Sequence, residues 1–221
     1  MPSCRLALAS ETTDPNNVTE ATSNYEIPHR FTAKISWQRA FFGDNYTRAT
    51  LFGQAWQNRP FSFTYNGDSG EVFGDGATNR HLLYVPTGVD DPKVVFADGF
   101  DTDAFFDYVD RMDMDRGQIE GRNEHDGQWS NRFDLRISQE IPTGYGKASG
   151  FVVVENIGNL LNDDWGTYYQ AGFPQTIGIV EVSGINDQGQ YVYENFTPRS
   201  TESRQTFNSL WEVRFGLKYE F

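Results

Sequence analysis

The clearest pattern lies at the end of the chain. From Trp211 to Phe221 the odd positions are Trp, Val, Phe, Leu, Tyr and Phe, and the even positions are Glu, Arg, Gly, Lys and Glu. Successive side chains of a strand point to opposite faces, so this segment predicts a strand with one apolar and one polar face. Phe31, Ala33, Ile35 and Trp37 repeat the scheme against Arg30, Thr32, Lys34, Ser36 and Gln38. Phe133, Leu135, Ile137 and Ile141 do so against Asp134, Arg136, Ser138 and Glu140, with Gln139 the exception. Two more strands follow turn signals: Tyr46–Gln57 after Gly43-Asp44-Asn45, and Lys147–Asn156 after Pro142-Thr-Gly-Tyr-Gly146. The expectation is an all-β fold of about five antiparallel strands, near 29–41, 46–57, 130–141, 147–157 and 209–221, in two hairpins and a final strand.

Between these strands lie long connections, 66–129 and 158–206, rich in Gly, Asn and Asp. In the first, Phe105, Tyr108, Val109 and Met112 fall at helical spacing, with Asp101 or Thr102 as a cap and Arg116-Gly117 as a stop. In the second, Thr176–Val182 and Gln190–Phe196 predict a small hairpin around Asn186-Asp-Gln-Gly189. Connections of this length count against a compact soluble domain. Short turns at one end and long loops at the other are the asymmetry of a transmembrane β-barrel. The final strand, Trp211–Phe221, also has the roughly 9–11 residues needed to cross a bilayer when tilted.

Composition narrows the classes. With 18 Lys+Arg against 31 Asp+Glu the net charge is −13, which opposes nucleic-acid binding because a phosphate backbone is gripped by clustered cations. The one cysteine, Cys4, excludes an internal disulfide framework and a cysteine-based zinc cluster. No apolar run is long enough for a transmembrane helix, and the mean hydropathy of −0.61 still suits a barrel, which turns only alternate residues to lipid. Residues 1–10 do not form a convincing secretory signal, so the chain is expected either to stay in the cytoplasm or to lack its true beginning.

The last eight residues, Arg214-Phe-Gly-Leu-Lys-Tyr-Glu-Phe221, resemble the assembly signal of bacterial outer-membrane proteins, with Arg214, Gly216, Tyr219 and Phe221 in its fixed places. Upstream, the chain resembles the final part of the barrel of Oar-like TonB-dependent outer-membrane receptors. The stretches that carry this are Tyr25-Glu-Ile-Pro-His-Arg-Phe31, Asn58-Arg-Pro-Phe-Ser-Phe-Thr-Tyr65, Gly74-Asp-Gly-Ala-Thr-Asn79 and Leu83-Tyr-Val-Pro86. They continue with Arg116-Gly117, Arg122-Asn123, Phe133-Asp-Leu-Arg-Ile-Ser-Gln139 and Val154-Glu-Asn-Ile-Gly-Asn-Leu-Leu-Asn162.

Members of that family are several times longer, with a plug and about 22 strands, so the resemblance implies that residues 1–221 are a C-terminal fragment of the barrel. It further implies the outer membrane of a Gram-negative bacterium, a share in ligand uptake as barrel wall and extracellular loops, and turns 43–45 and 142–146 in the periplasm. Segments 10–23, 66–129 and 158–206 then face outward. The implied partners are outer-membrane lipid, the barrel-assembly machinery, the missing N-terminal strands and plug, and TonB through that plug alone.

On this reading Trp211, Val213, Phe215 and Leu217 face lipid, the even positions from Glu212 to Glu220 face a polar lumen, and Trp37, Trp56, Trp211 and Tyr219 sit at the bilayer interface. Asn66-Gly-Asp-Ser-Gly-Glu71 with Asp75, and Asp90-Asp91, are read as solvated turns rather than calcium loops. Asp103, Asp107, Asp110, Asp113 and Asp115 are read as the wet face of the helix. His29, His81 and His125 are far apart, and no nucleophile elbow is present. No catalytic, cofactor or metal residue is expected, and the chain is not expected to be an enzyme. The alternative is a soluble, secreted β-rich module binding carbohydrate through loop aromatics such as Trp165, Tyr168, Tyr169 and Phe173.

Overall fold

The computed structural model describes residues 11–14, 20–67, 72–74 and 79–221. Nearly half of the chain is strand and little is helix, and the fold is all-β with antiparallel sheets. In chain order the strands are β1 (Arg30–Phe42), β2 (Asn45–Gln57), β3 (Ser62–Tyr65), β4 (Tyr84–Val85), β5 (Val94–Phe96), β6 (Gln118–Ile119) and β7 (Trp129–Ile141). They continue with β8 (Lys147–Glu155), β9 (Tyr169–Gln170), β10 (Thr176–Ile185), β11 (Tyr191–Phe196), β12 (Ser203–Arg204) and β13 (Glu212–Glu220). The helices are α1 (Thr102–Arg111) and two single turns, α2 (Ile157–Leu161) and α3 (Thr206–Ser209).

The chain divides into two compact units. One comprises Ile27–Asn58, Gln128–Gln170 and Arg204–Phe221, and its body is a five-stranded antiparallel sheet in the order β1-β2-β7-β8-β13. Gly43, with φ of 59°, turns β1 into β2, and the Asn45 side chain donates to the Phe42 carbonyl at 2.7 Å. Gln57 pairs with Trp129 and Glu155 with Glu212, so both long connections leave one end of the sheet. The short turns lie at the other end. Among the described residues β1 and β13 each have one paired edge only, and the sheet does not close.

The second unit comprises Met1–Glu26, Arg59–Gly127 and Ala171–Ser203. The segments expected as outward loops here build a folded body. Its sheet runs β3-β10-β11-β5, with β10 and β11 antiparallel and both outer pairs parallel. Phe63, Leu83, Val85, Phe105, Tyr108, Val109, Ile179, Val180 and Tyr193 form its fully buried centre. This core is assembled from short apolar runs in both connections, none of which is a strong signal alone. Burying each such side chain contributes about 1.5–3 kcal/mol, so the connections carry their own stability.

Helix α1 starts as the sequence indicates: Asp101 accepts a hydrogen bond from the Ala104 N–H at 3.0 Å. Its end differs from expectation. The helix stops at Arg111, well before Gly117, because Asp113 takes the left-handed conformation at φ 54°. The Met114 N–H then donates to Val109 and the Asp113 N–H to Asp110, a Schellman closure that drops Met114 into the core. Gly117, at φ 85°, belongs to the turn before β6.

Candidate functional site

The five-stranded sheet is the candidate site because its two faces differ in kind. Its register aligns the alternating patterns of separate strands into one surface. Opposite Leu51 lie Ile35 and Leu135, opposite Ile137 lie Ala49 and Val152, and opposite Val152 lies Phe215. Phe31, Trp37, Phe133, Ile141, Val154, Val213, Leu217 and Tyr219 share that face by strand parity. Among the described residues no second layer covers these side chains. Ile35 is 69 % exposed, Phe215 78 % and Leu217 86 %. A contiguous exposed apolar face of this extent marks a surface that meets something other than water.

Gln57 and Asn131 stand at the long-connection end of this face, and two further polar exceptions are accounted for locally. Gln139, the parity exception in the sequence, sits opposite Thr47 and hydrogen-bonds to its hydroxyl, and its amide also donates to the Glu140 carbonyl at 2.7 Å. Arg39 lies near the short-turn end with its guanidinium 5.4 Å from the Phe41 ring.

The opposite face carries charge, and it is paired across strands. Arg132 bonds Asp134 at 2.9 Å and Glu155 at 2.7 Å, Glu155 bonds Arg214 at 2.8 Å, and Arg214 bonds Glu212 at 2.7 Å. The chain of contacts runs across β7, β8 and β13. Nearer the short turns, Arg48 bonds Glu140 at 2.6 Å and Lys218 pairs with Glu220. Half-exposed pairs of this kind contribute about 0–1 kcal/mol each. Their stronger consequence is directional, since this face would be far costlier against hydrocarbon than the other.

The sequence-predicted residues fall on or beside β13. Val213, Phe215 and Leu217 lie on the apolar face, Arg214 and Gly216 on the charged one, and Trp211 immediately precedes the strand. Gly216 stands opposite Phe151, whose ring covers it; a Cβ at 216 would lie 2.2–2.9 Å from ring atoms. The Arg136 guanidinium lies 4.5 Å from the centre of the same ring. The glycine is therefore a seat for an aromatic ring. Tyr219 shares the apolar face, with its hydroxyl donating to the Tyr145 carbonyl at 2.7 Å and its ring 6.3 Å from that of Phe221.

Trp56 departs from its expected place. It is opposite Arg30 and Ser130, hence on the charged face, with the Arg30 guanidinium 5.9 Å from its ring and Tyr168 at 6.1 Å. At that end of the apolar face stand instead Phe31 and Trp129, with rings stacked at 5.9 Å, and His29 stacked on Trp129 at 6.3 Å. Trp37 and Phe41, 5.9 Å apart, serve the other end. Trp129 was not singled out in the sequence because it opens its strand next to polar residues.

Other sequence candidates resolve individually. Asp91 is not a solvated turn: it is buried and accepts hydrogen bonds from the Thr87 N–H at 2.7 Å, the Lys93 N–H at 2.8 Å, and the hydroxyls of Tyr84 and Thr87 at 3.0 Å. Burial alone would raise its pKa, but these donors outweigh it and hold the carboxyl below the usual range. Burial pushes Tyr84 up to about 12, and Tyr65 and Tyr193, joined to it by hydrogen bonds, are also raised. The five helix-region aspartates are exposed. His125 contacts Glu120 and packs against Phe61 and Phe63, while His81 stacks on Phe73. Among the described residues no group of His, Cys, Asp or Glu is arranged to hold a metal ion. Most of the 66–71 and 75 cluster, with Cys4, lies outside the described residues.

No family model matches this chain, and no curated protein or solved structure matches it either.

Proposed function

We propose that the five-stranded sheet is a segment of an outer-membrane β-barrel wall, with its apolar face against lipid and its charged face toward the lumen. The observation that carries this reading is the continuous apolar surface of Phe31, Ile35, Leu51, Leu135, Ile137, Phe215 and Leu217, exposed or half-exposed, backed by a cross-strand ion-pair network. Polar groups in hydrocarbon cost several kcal/mol each when unpaired, which the antiparallel ladder avoids except at β1 and β13. Those two edges call for further strands, and in their absence copies are expected to pair edge to edge. Short turns at one end and long connections at the other fit periplasmic and outward sides respectively.

Together with the motif resemblance, this supports a role as part of a TonB-dependent receptor that takes up a ligand, the sheet forming wall and lumen lining and the folded connections the outward part. Gly216 under Phe151 and the Tyr219–Tyr145 bond give the proposed assembly signal a structural meaning. The test is a matched pair of substitutions on adjacent residues of β13. With the protein folded into phosphocholine vesicles and titrated with urea, Leu217→Arg is expected to cost ~2–4 kcal/mol, as lipid-facing cations do near the bilayer midplane. Lys218→Glu should cost less than ~1 kcal/mol. Equal tolerance at the two positions removes the membrane assignment.

A further inference from the structure

At the long-connection end of the apolar face the sheet carries a cleft of about 370 Å³, lined by Gln128, Trp129, Asn131, Phe133, Asp164 and Trp165 among others. That volume is in the range of small-ligand sites. We propose that this cleft binds the pyranose head of a glycolipid whose acyl chain runs along the apolar face; the acyl-chain half rests on the membrane reading above.

The lining has the two features a pyranose demands. A sugar ring has a face of C–H bonds that seats on an aromatic plane, and an edge of hydroxyls that needs donors and acceptors. Trp129 and Trp165 supply indoles, 52 % and 57 % exposed. The Asn131 carboxamide supplies both a donor and an acceptor, and the Asp164 carboxylate two acceptor oxygens, suited to neighbouring hydroxyls.

Both indoles sit on restrained supports. Trp129 is stacked on by Phe31 and by His29, the latter nearly parallel at 3°. The loop bearing Trp165 is fixed through its carbonyls: Asn159 donates to those of Asp163 at 3.0 Å and Trp165 at 3.1 Å, and buried Asn156 to that of Gly166 at 2.8 Å. The Trp165 N–H donates to Asn162 at 2.9 Å. A site fixed before binding loses less entropy when the ligand arrives.

The choice of a lipid-borne sugar over a free one comes from what adjoins the cleft. Phe133 belongs to its lining and also heads the apolar row Phe133, Leu135, Ile137 and Ile141 of β7. That row leads at ~3.3 Å per residue to a second, apolar depression over Gly150, flanked by Ile137, Ile141, Phe215 and Leu217. Gly150, which shares the apolar face with its partners Gln139 and Leu217, has no side chain and leaves the surface low between larger neighbours. One amphiphile can thus place its head in a polar, aromatic cleft and its tail along the apolar row Phe133, Leu135 and Ile137.

The test uses the whole chain in phosphocholine-detergent micelles, which contain no sugar, with octyl glucoside and methyl glucoside as probes and saturation-transfer NMR of the glucosyl protons as readout. Octyl glucoside should show saturation that falls about three- to tenfold in Trp165→Ala and in Asn131→Leu, the loss expected for one aromatic or hydrogen-bonding contact. It should be unchanged in Trp37→Ala, which removes an indole from the far end. Equal signals in all four proteins, or an equal fall in Trp37→Ala, overturn the cleft. Methyl glucoside saturating as strongly as octyl glucoside overturns the lipid-borne ligand. The Leu217→Arg titration in vesicles reads the membrane assignment separately: loss of the glucoside signal with insertion intact sinks only the present proposal.

Discussion

Gly216→Ala tests why a glycine stands within the terminal strand. On intrinsic grounds the change should help, since glycine in a strand interior is destabilising by about 0.5–1 kcal/mol relative to alanine. The structure says otherwise. The added methyl would lie 2.2–2.9 Å from three atoms of the Phe151 ring, a separation that forces the ring away. Overpacking of this type costs about 1–3 kcal/mol. Displacing the ring also breaks its contact with Arg136 at 4.5 Å, worth about 0.5–1 kcal/mol at an exposed site. The balance is a net loss of about 2 kcal/mol, within a span of about 0.5–3.5 kcal/mol. In a Phe151→Ala background the obstruction is gone, and Gly216→Ala should become neutral or stabilising by up to about 1 kcal/mol. Urea titrations of the four proteins in phosphocholine vesicles give the coupling energy, expected at about 1–3 kcal/mol. If Gly216→Ala costs the same with and without the ring, the seat explanation is wrong.

Two other perturbations have equally definite outcomes. Gly166→Ala places a methyl 1.9 Å from Asn156 Oδ1 at a φ of 61°, so it should cost at least about 2 kcal/mol and expose the 157–167 loop to proteolysis; a variant as stable and protease-resistant as the parent would contradict the geometry. The buried phenols of Tyr65, Tyr84 and Tyr193 have pKa values raised in the folded state, Tyr84 to about 12, against about 10 unfolded. Their contribution is therefore complete below pH ~10 and is lost as pH climbs through the folded values. With eleven tyrosines in the chain, the last part of the phenolate absorbance at 295 nm should appear only together with loss of near-ultraviolet circular dichroism; ionisation of the full set with the dichroism unchanged would refute the buried network.

What the sequence revealed depended on how each element is stabilised. The strands at Arg30–Phe42, Trp129–Ile141 and Glu212–Glu220 lie where alternation is clearest, because one face of each is mostly apolar, with Arg39, Asn131 and Gln139 as interruptions, and no competing period is present. The cap of α1 was legible from Asp101, but its end was not, since an aspartate in the left-handed conformation carries no strong sequence signal. The second unit was invisible as a body. Its core joins Phe61–Tyr65, Leu83–Val85, α1 and Ile177–Val182, far apart in the chain, through two parallel strand pairs that local patterns cannot disclose. In the candidate site, parity placed Phe215 and Leu217 with Ile35 and Ile137, whereas Trp56 was misjudged because nearness to a strand end says nothing of face. The cleft at Trp129 and Trp165 required the register of β7 and the fixed loop after β8.

The most direct measurement is a single spin-label scan from Trp211 to Phe221 in phosphocholine vesicles, comparing collisions with oxygen, which concentrates in lipid, and with a water-soluble nickel chelate. The account predicts strict alternation, with 211, 213, 215, 217 and 219 accessible to oxygen and 212, 214, 216, 218 and 220 to nickel. Uniform access to nickel at odd and even positions alike, or protection of the odd positions from both reagents, would contradict a sheet whose oily face meets the bilayer.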